Sequence, residues 1–184
     1  MNWIKKIICR KSNVVKIDAS QKEMEVRVLI SDGYFFICSA RLLFSYPFYM
    51  YSAAVLSHHG IELTLKACWI WDKNEYSKTH NLSYIANQIS FLKPNKQIQD
   101  LITKVDTYYH FRYPMDSKVR EDVQRKLIRI DDIVPGGKPV LAGEIGSNDW
   151  IKAGDLYDYI LQVMPDELYE LWEEITNQYR NSSE

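Results

Sequence analysis

Between Leu42 and Ile61 the chain carries no Asp, Glu, Lys or Arg, a window about as long as a bilayer span. A stretch of this kind is hidden from water either in lipid or in the protein's own interior. This one holds Ser45, Ser52, Ser57, His58, His59, Gly60 and a mid-segment Pro47, and its helical pattern runs on into Glu62 and Lys66. Other helices can satisfy those polar groups; hydrocarbon cannot. The expectation is a long central helix from Pro47 to about Trp71 that crosses no membrane, with proline in the first turn, where its missing N–H is no loss. Ala54, Ile61, Leu65 and Cys68 fall on one side of it at helical spacing, and His58, Glu62 and Lys66, spaced by four, share another.

Further stripes make the rest of the chain helical. After the polar loop DKNEYSK, Thr79 is placed to cap a helix whose Leu82, Ile85, Ala86, Ile89 and Leu92 lie on one face, closed by Pro94. Ile98, Leu101, Ile102, Val105 and Tyr109 trace the next, which must end near Tyr113 because Pro114 pushes the preceding residue out of the helical region. Leu156, Tyr159, Ile160 and Val163 form one more stripe, and after Pro165 Leu168, Leu171, Trp172 and Ile175 form the last. Asp166 and Glu167 in its first turn complement the helix dipole. Residues 33–46, densely apolar, precede the central helix. The fold class is thus all-α, an up-and-down bundle of five to six helices in a single domain over 1–184. Residues 33–116 and 152–180 form the helical core. Residues 1–32 read as an appendage in which VVKID and EMEVRVLI have strand-like content around a polar ASQK. Residues 117–150, with RKLIRIDDIV as a strand, PGGKP as a turn and GEIGSND as a loop, read as an insertion. A small hairpin or sheet can come from the appendage and the insertion.

Charge narrows the function classes. With 23 Lys+Arg against 24 Asp+Glu the formal net charge is -1, so nucleic acid or anionic lipid would have to be met by a local patch. Two such patches exist in the sequence: Lys5, Lys6, Arg10 and Lys11 near the start, and Lys118, Arg120, Arg125, Lys126 and Arg129 in the insertion. From Asp155 onward there are eight acids and only Arg180 as a base, a surface that repels nucleic acid. Cys9, Cys38 and Cys68 form neither a CxxC pair nor a ligand cluster, which suits reduced thiols behaving as small buried hydrophobes. The apolar part of MNWIKKIICRKS is short and breaks into Arg10 and Lys11, unlike a signal peptide, and a cytoplasmic location is expected. No GxxxxGK[ST], GxGxxG, HExxH or GxSxG occurs, so NTPase, dehydrogenase, metalloprotease and serine hydrolase chemistry find no support.

Three motifs in order, HHGIELTLKA on the central helix, THNL opening the next and FRYPMD ending the fourth, resemble the HEPN family, the higher-eukaryote and prokaryote nucleotide-binding domain. The resemblance runs from about Gly33 to Asp116 and again from Lys152 to Tyr179. It implies a helical bundle that commonly dimerises, found in bacterial toxin–antitoxin and defence systems, often beside a nucleotidyltransferase partner. Active members are metal-independent endoribonucleases in which an Arg and a His about four to six residues apart, paired across a dimer, cleave RNA by general acid–base chemistry. This sequence departs from that pattern: Arg112 is followed by Tyr113, Pro114, Met115, Asp116, Ser117 and Lys118, and His58, His59, His80 and His110 all lie upstream of it.

Three functions stay in contention. The first is a protein acting by association, as a homodimer and as one half of a toxin–antitoxin or defence pair, with a degenerate ribonuclease site. The second is a ribonuclease in which Arg112 binds phosphate and His110 or His80 serves as base. The third is a non-catalytic RNA binder using the two basic patches. Residue by residue the plainer readings weigh more. Arg112 bonds free carbonyls at a helix end and pairs with Asp116 or Glu62; His80 is a packed or capping histidine; Glu62 and Lys66 are an i,i+4 pair. Tyr46, Tyr49 and Tyr51 are core or dimer interface before they are a base-stacking platform. His58 and His59 point roughly 100° apart on a helix, so no metal site and no cofactor is expected.

Overall fold

The computed structural model describes residues 14–46, 49–112 and 147–181; for residues 110–112 and 147–150 it describes the backbone path only. Six α-helices occupy most of these residues: α1 (Lys22–Phe44), α2 (Met50–Lys73), α3 (Leu82–Ala86), α4 (Lys96–Asp106), α5 (Ser147–Gln162) and α6 (Asp166–Asn181), with a 3₁₀ helix over Thr107–Arg112 continuing α4. Two short strands, β1 (Val14–Lys16) and β2 (Glu75–Ser77), pair antiparallel with Val15 opposite Tyr76. The fold is an all-α bundle with, among the described residues, one small two-stranded sheet.

Helix α2 is the axis of the core. Ala54, Ile61, Leu65, Cys68 and Ile70 are fully buried, with Trp69 beside them. The later stripes complete the same core: Leu82, Ile85, Ala86, Ile89 and Leu92, then Leu168, Leu171, Trp172 and Ile175, are all buried, as are Leu156 and Ile160. Helix α3 nevertheless ends at Ala86, and Ile89 and Leu92 reach the core from the turn that follows, short of the helix expected to run to Pro94. Tyr108, off the expected α4 stripe, is buried too.

Helix α1 corrects the expected appendage. EMEVRVLI is helix, not strand, because its apolar residues serve a 3.6-residue period: Val26, Ile30, Gly33 and Ala40 line the buried face. Gly33 is no boundary. A Cβ there would stand 2.9 Å from Thr64 Oγ1 and 3.1 Å from the Gly60 carbonyl, and one on Gly60 would stand 2.8 Å from the Gly33 carbonyl. The two glycines are where the backbones of α1 and α2 touch, a closeness that a side chain on either would prevent.

The sheet also differs from expectation. VVK does form a strand, but its partner is EYS from the segment read as a polar loop. Asn74 ends α2 in the left-handed region at φ 54°, which asparagine tolerates, and its carbonyl accepts the Ile17 N–H at 2.7 Å, so the reversal is built into the helix cap. RKLIRIDDIV and PGGKP lie outside the described residues, whereas Ser147 to Asp149 of GEIGSND already belong to α5. Asn81, not Thr79, caps α3, accepting the Tyr84 N–H at 2.6 Å, while Thr79 Oγ1 accepts the Asn81 N–H. Of the cysteines, Cys68 is buried and Cys38 exposed; burial pushes the Cys68 thiol up to about 12, which makes it inert.

Candidate functional site

The polar face of α2 is as deeply buried as its apolar face. His58 and Glu62 are almost fully enclosed and Lys66 nearly so, and isolated charges at that depth would be untenable. They are not isolated. Lys66 Nζ lies 2.7 Å from Glu62 Oε1. His80 Nδ1 lies 2.9 and 3.0 Å from the two Glu62 oxygens. His59 Nδ1 and His58 Nδ1 stand at 3.7 and 3.9 Å from Oε2, beyond hydrogen-bond reach. Burial, the largest influence on the Glu62 carboxyl, pushes it upward; His59, Lys66 and His80 outweigh burial and hold it well below its ordinary value. Glu62 is therefore a carboxylate, which can only accept, so the bond to His80 fixes the proton on Nδ1.

Local structure delivers His80 to that carboxylate. The β1–β2 pairing turns the chain back after α2, and the capping turn at Thr79–Asn81 stops it one residue before α3. Asp106, the last residue of α4, accepts the Leu82 N–H at 2.9 Å and lies 3.5 Å from His58 Nε2. Three residues on, Tyr109 of the 3₁₀ helix stacks on the His80 ring, with centroids 5.1 Å apart and planes within 20°, and tilts against His58 at 5.6 Å. Thr79, His80, Asn81, Asp106 and Tyr109 line a cavity of about 370 Å³. Its walls thus come from the turn before α3 and the end of α4, with the Glu62–Lys66 pair behind.

Of the residues singled out as catalytic candidates, His80 is at this cleft with 40% of its side chain exposed. The backbone of His110 and Arg112 continues the same 3₁₀ helix directly after Tyr109; their side chains lie outside the described residues. So do Lys5, Lys6, Arg10, Lys11, Lys118, Arg120, Arg125, Lys126 and Arg129. Glu62 and Lys66 do pair, but as a buried couple and not as surface decoration. His59 packs edge-on against Phe36 at 4.6 Å. Asp106 was not foreseen: an acid at a helix end carries no pattern of its own, and its role depends on a backbone N–H 24 residues earlier. Among the described residues no group of three or more His, Cys, Asp or Glu is arranged to hold a metal, and no helix is long and apolar enough to cross a membrane.

A second cavity, of about 460 Å³, opens between α1, α5 and α6, where Tyr34, Cys38, Arg41, Gly154, Asp155 and Arg180 are among the lining residues. Arg180 Nε approaches the Tyr34 hydroxyl at 3.4 Å and its guanidinium lies 5.9 Å from the Trp172 ring centre. Two acids, Asp155 and Asp158, and two bases, Arg41 and Arg180, line it, and among the described residues no histidine does.

Compared with known proteins, the chain is matched by the family model of the HEPN domain over residues 26–134. That match begins inside the segment read as an appendage and runs on into the one read as an insertion, while α5 and α6 lie beyond it. No curated protein and no solved structure matches the chain. The family match spans more than half of the sequence and contains the α2 ridge, the His80 turn and the 3₁₀ helix that build the cleft, and the chain belongs to the HEPN domain family.

Proposed function

We propose that this HEPN protein acts by association, as a homodimer and as one component of a toxin–antitoxin or defence pair, with its ribonuclease site degenerate. The observation that carries the degenerate half is the charge of the cleft. Its described lining includes the Asp106 side chain and no Lys or Arg, and the ammonium of Lys66 is buried against Glu62. A phosphodiester arriving there meets an acid where phosphoryl chemistry needs a positive charge. An apolar stripe left exposed on α1, Met24, Val28, Phe35 and Leu42, supports the association half. Purified protein incubated with total RNA in the presence of a chelator is expected to leave the RNA intact. Cleavage abolished by Arg112→Ala and by His80→Ala would overturn the reading.

A second reading, the metal-independent ribonuclease, is favoured by one specific feature. Glu62 holds the Nδ1–H of His80 and leaves Nε2 as the ring's other nitrogen on a side chain that is 40% exposed, the arrangement by which a carboxylate orients a catalytic imidazole. Tyr109 stacks on that ring one residue before His110 and three before Arg112. On this reading His80→Ala lowers the rate by about 10²–10⁴-fold, the usual range for a general base, while His80→Ala leaves any dimer intact.

A further inference from the structure

We infer that the outer face of α1 is the seam at which a second copy of this chain docks, an inference that rests on the association reading and names its surface. Helix α1 is apolar on two opposite sides. One side, Val26, Ile30, Gly33 and Ala40, is buried. The other carries Met24, Val28, Phe35 and Leu42, which are 59%, 51%, 58% and 64% exposed. Tyr46 and Tyr49 extend the patch beyond the end of α1, and Ile151 of α5 borders it across the cavity shared with Cys38 and Arg41; all three are more than half exposed.

Two features point to a copy of this chain as the occupant. The stripe is a heptad: Val28, Phe35 and Leu42 repeat every seven residues, and Ser31, Cys38 and Ser45 fall between them at the alternate seam position. Large and small side chains therefore alternate along one line. In an antiparallel twofold pairing the two kinds of position face each other, with Phe35 over the partner's Cys38, Leu42 over the partner's Ser31 and Val28 over the partner's Ser45. Each copy then supplies both the knobs and the space they fill, as an isologous contact requires. The second feature is area. Seven apolar side chains, each more than half exposed, together offer on the order of several hundred Å², the scale of the ~800 Å² per partner of a stable interface. A lipid surface or nucleic acid fits less well, since the helix carries Glu23, Glu25 and Asp32, and Arg27 is already paired with Glu23 and Glu174.

Light scattering coupled to size exclusion, at about 50 µM protein where a micromolar dimer is populated, tests the seam. The full chain is expected to run as a dimer, and Phe35→Glu and Leu42→Glu, each with an unchanged circular dichroism spectrum, as monomers whose association is weakened about a hundredfold or more. If Phe35→Glu does not fold, Leu42→Glu carries the comparison, being the most exposed of the set. Dimers that persist in the folded variants would overturn the α1 seam and leave association by another face. A monomeric wild-type chain would overturn both.

Discussion

The contact of α1 with α2 and the contact of α2 with the turn before α3 are both tightly packed, and they are held by opposite physics. At the first, two glycines let backbones touch, and no charge is involved. At the second, a buried carboxylate is surrounded by an ammonium and imidazoles, and shape matters less than charge balance. The contrast shows why one helix can carry both: apolar packing on one side fixes where α2 sits, which lets the other side hold Glu62 and Lys66 in a fixed relation to His80. It also separates what each region tolerates. Added volume should damage the glycine crossing and lost charge the Glu62 cluster, with little exchange between them.

The largest effect is expected at Glu62. Glu62→Gln leaves Lys66 buried without a counter-charge and replaces the charged acceptor of His80 with a neutral amide oxygen, at a cost of about 3–5 kcal/mol, read from urea unfolding. Acid should imitate part of this. Because the folded carboxyl is held below its ordinary value of 4.5, its contribution is fully present above that pH and is lost as the pH falls through the folded value. Melting temperature should therefore drop on acidification below about pH 4.5, and drop less steeply in Glu62→Gln, a difference that an equal slope in the two proteins would erase. Gly60→Ala tests the other contact. Its new Cβ must displace the Gly33 carbonyl or the Ile37 side chain, both at 2.8 Å, for a loss of about 1–3 kcal/mol that does not change with pH between 4 and 8. Asn81→Ala, which removes the cap of α3 but neither helix crossing nor ion pair, should cost about 1 kcal/mol and leave the pH profile as it is.

The helices were legible in the sequence wherever burial is one-sided. The Leu168 to Ile175 stripe is buried as its spacing demands, because a helix with one dry face must place apolar residues every three or four positions. The Leu82 to Leu92 stripe is buried too, but only Leu82–Ala86 is helical, so there the spacing marked the core and overran the helix. Helix α1 was misread in its first third because it is apolar on two faces, so in EMEVRVLI the polar Glu23, Glu25 and Arg27 alternate with Met24, Val26 and Val28 at the period of a strand, and its β-branched residues suggest one. Gly33 added to the error, since glycine punctuates chains far more often than it marks a helix crossing. At the site, the spacing of His58, Glu62 and Lys66 placed them on one face, yet whether that face is wet or dry depends on what packs over it. The charge-free window was the usable clue only in its second half, since Ala53 to Ile61 are buried or half-buried on α2 while Leu42, Tyr46 and Tyr49 at its start are exposed. Asp106 and Tyr109 were beyond reach, their roles depending on a turn between residues 79 and 82 that no periodicity encodes.

The central claim is that the charges of the Glu62 cluster answer one another, so that Lys66 is not available to a phosphate. A double-mutant cycle on Glu62→Gln and Lys66→Met, followed by urea unfolding, measures that closure directly. Mutual compensation predicts that the double variant is more stable than the sum of the two losses implies, by about 2 kcal/mol or more. Losses that add to within about 0.5 kcal/mol would contradict it, and would mean that Lys66 stands free of Glu62 and available to a bound anion.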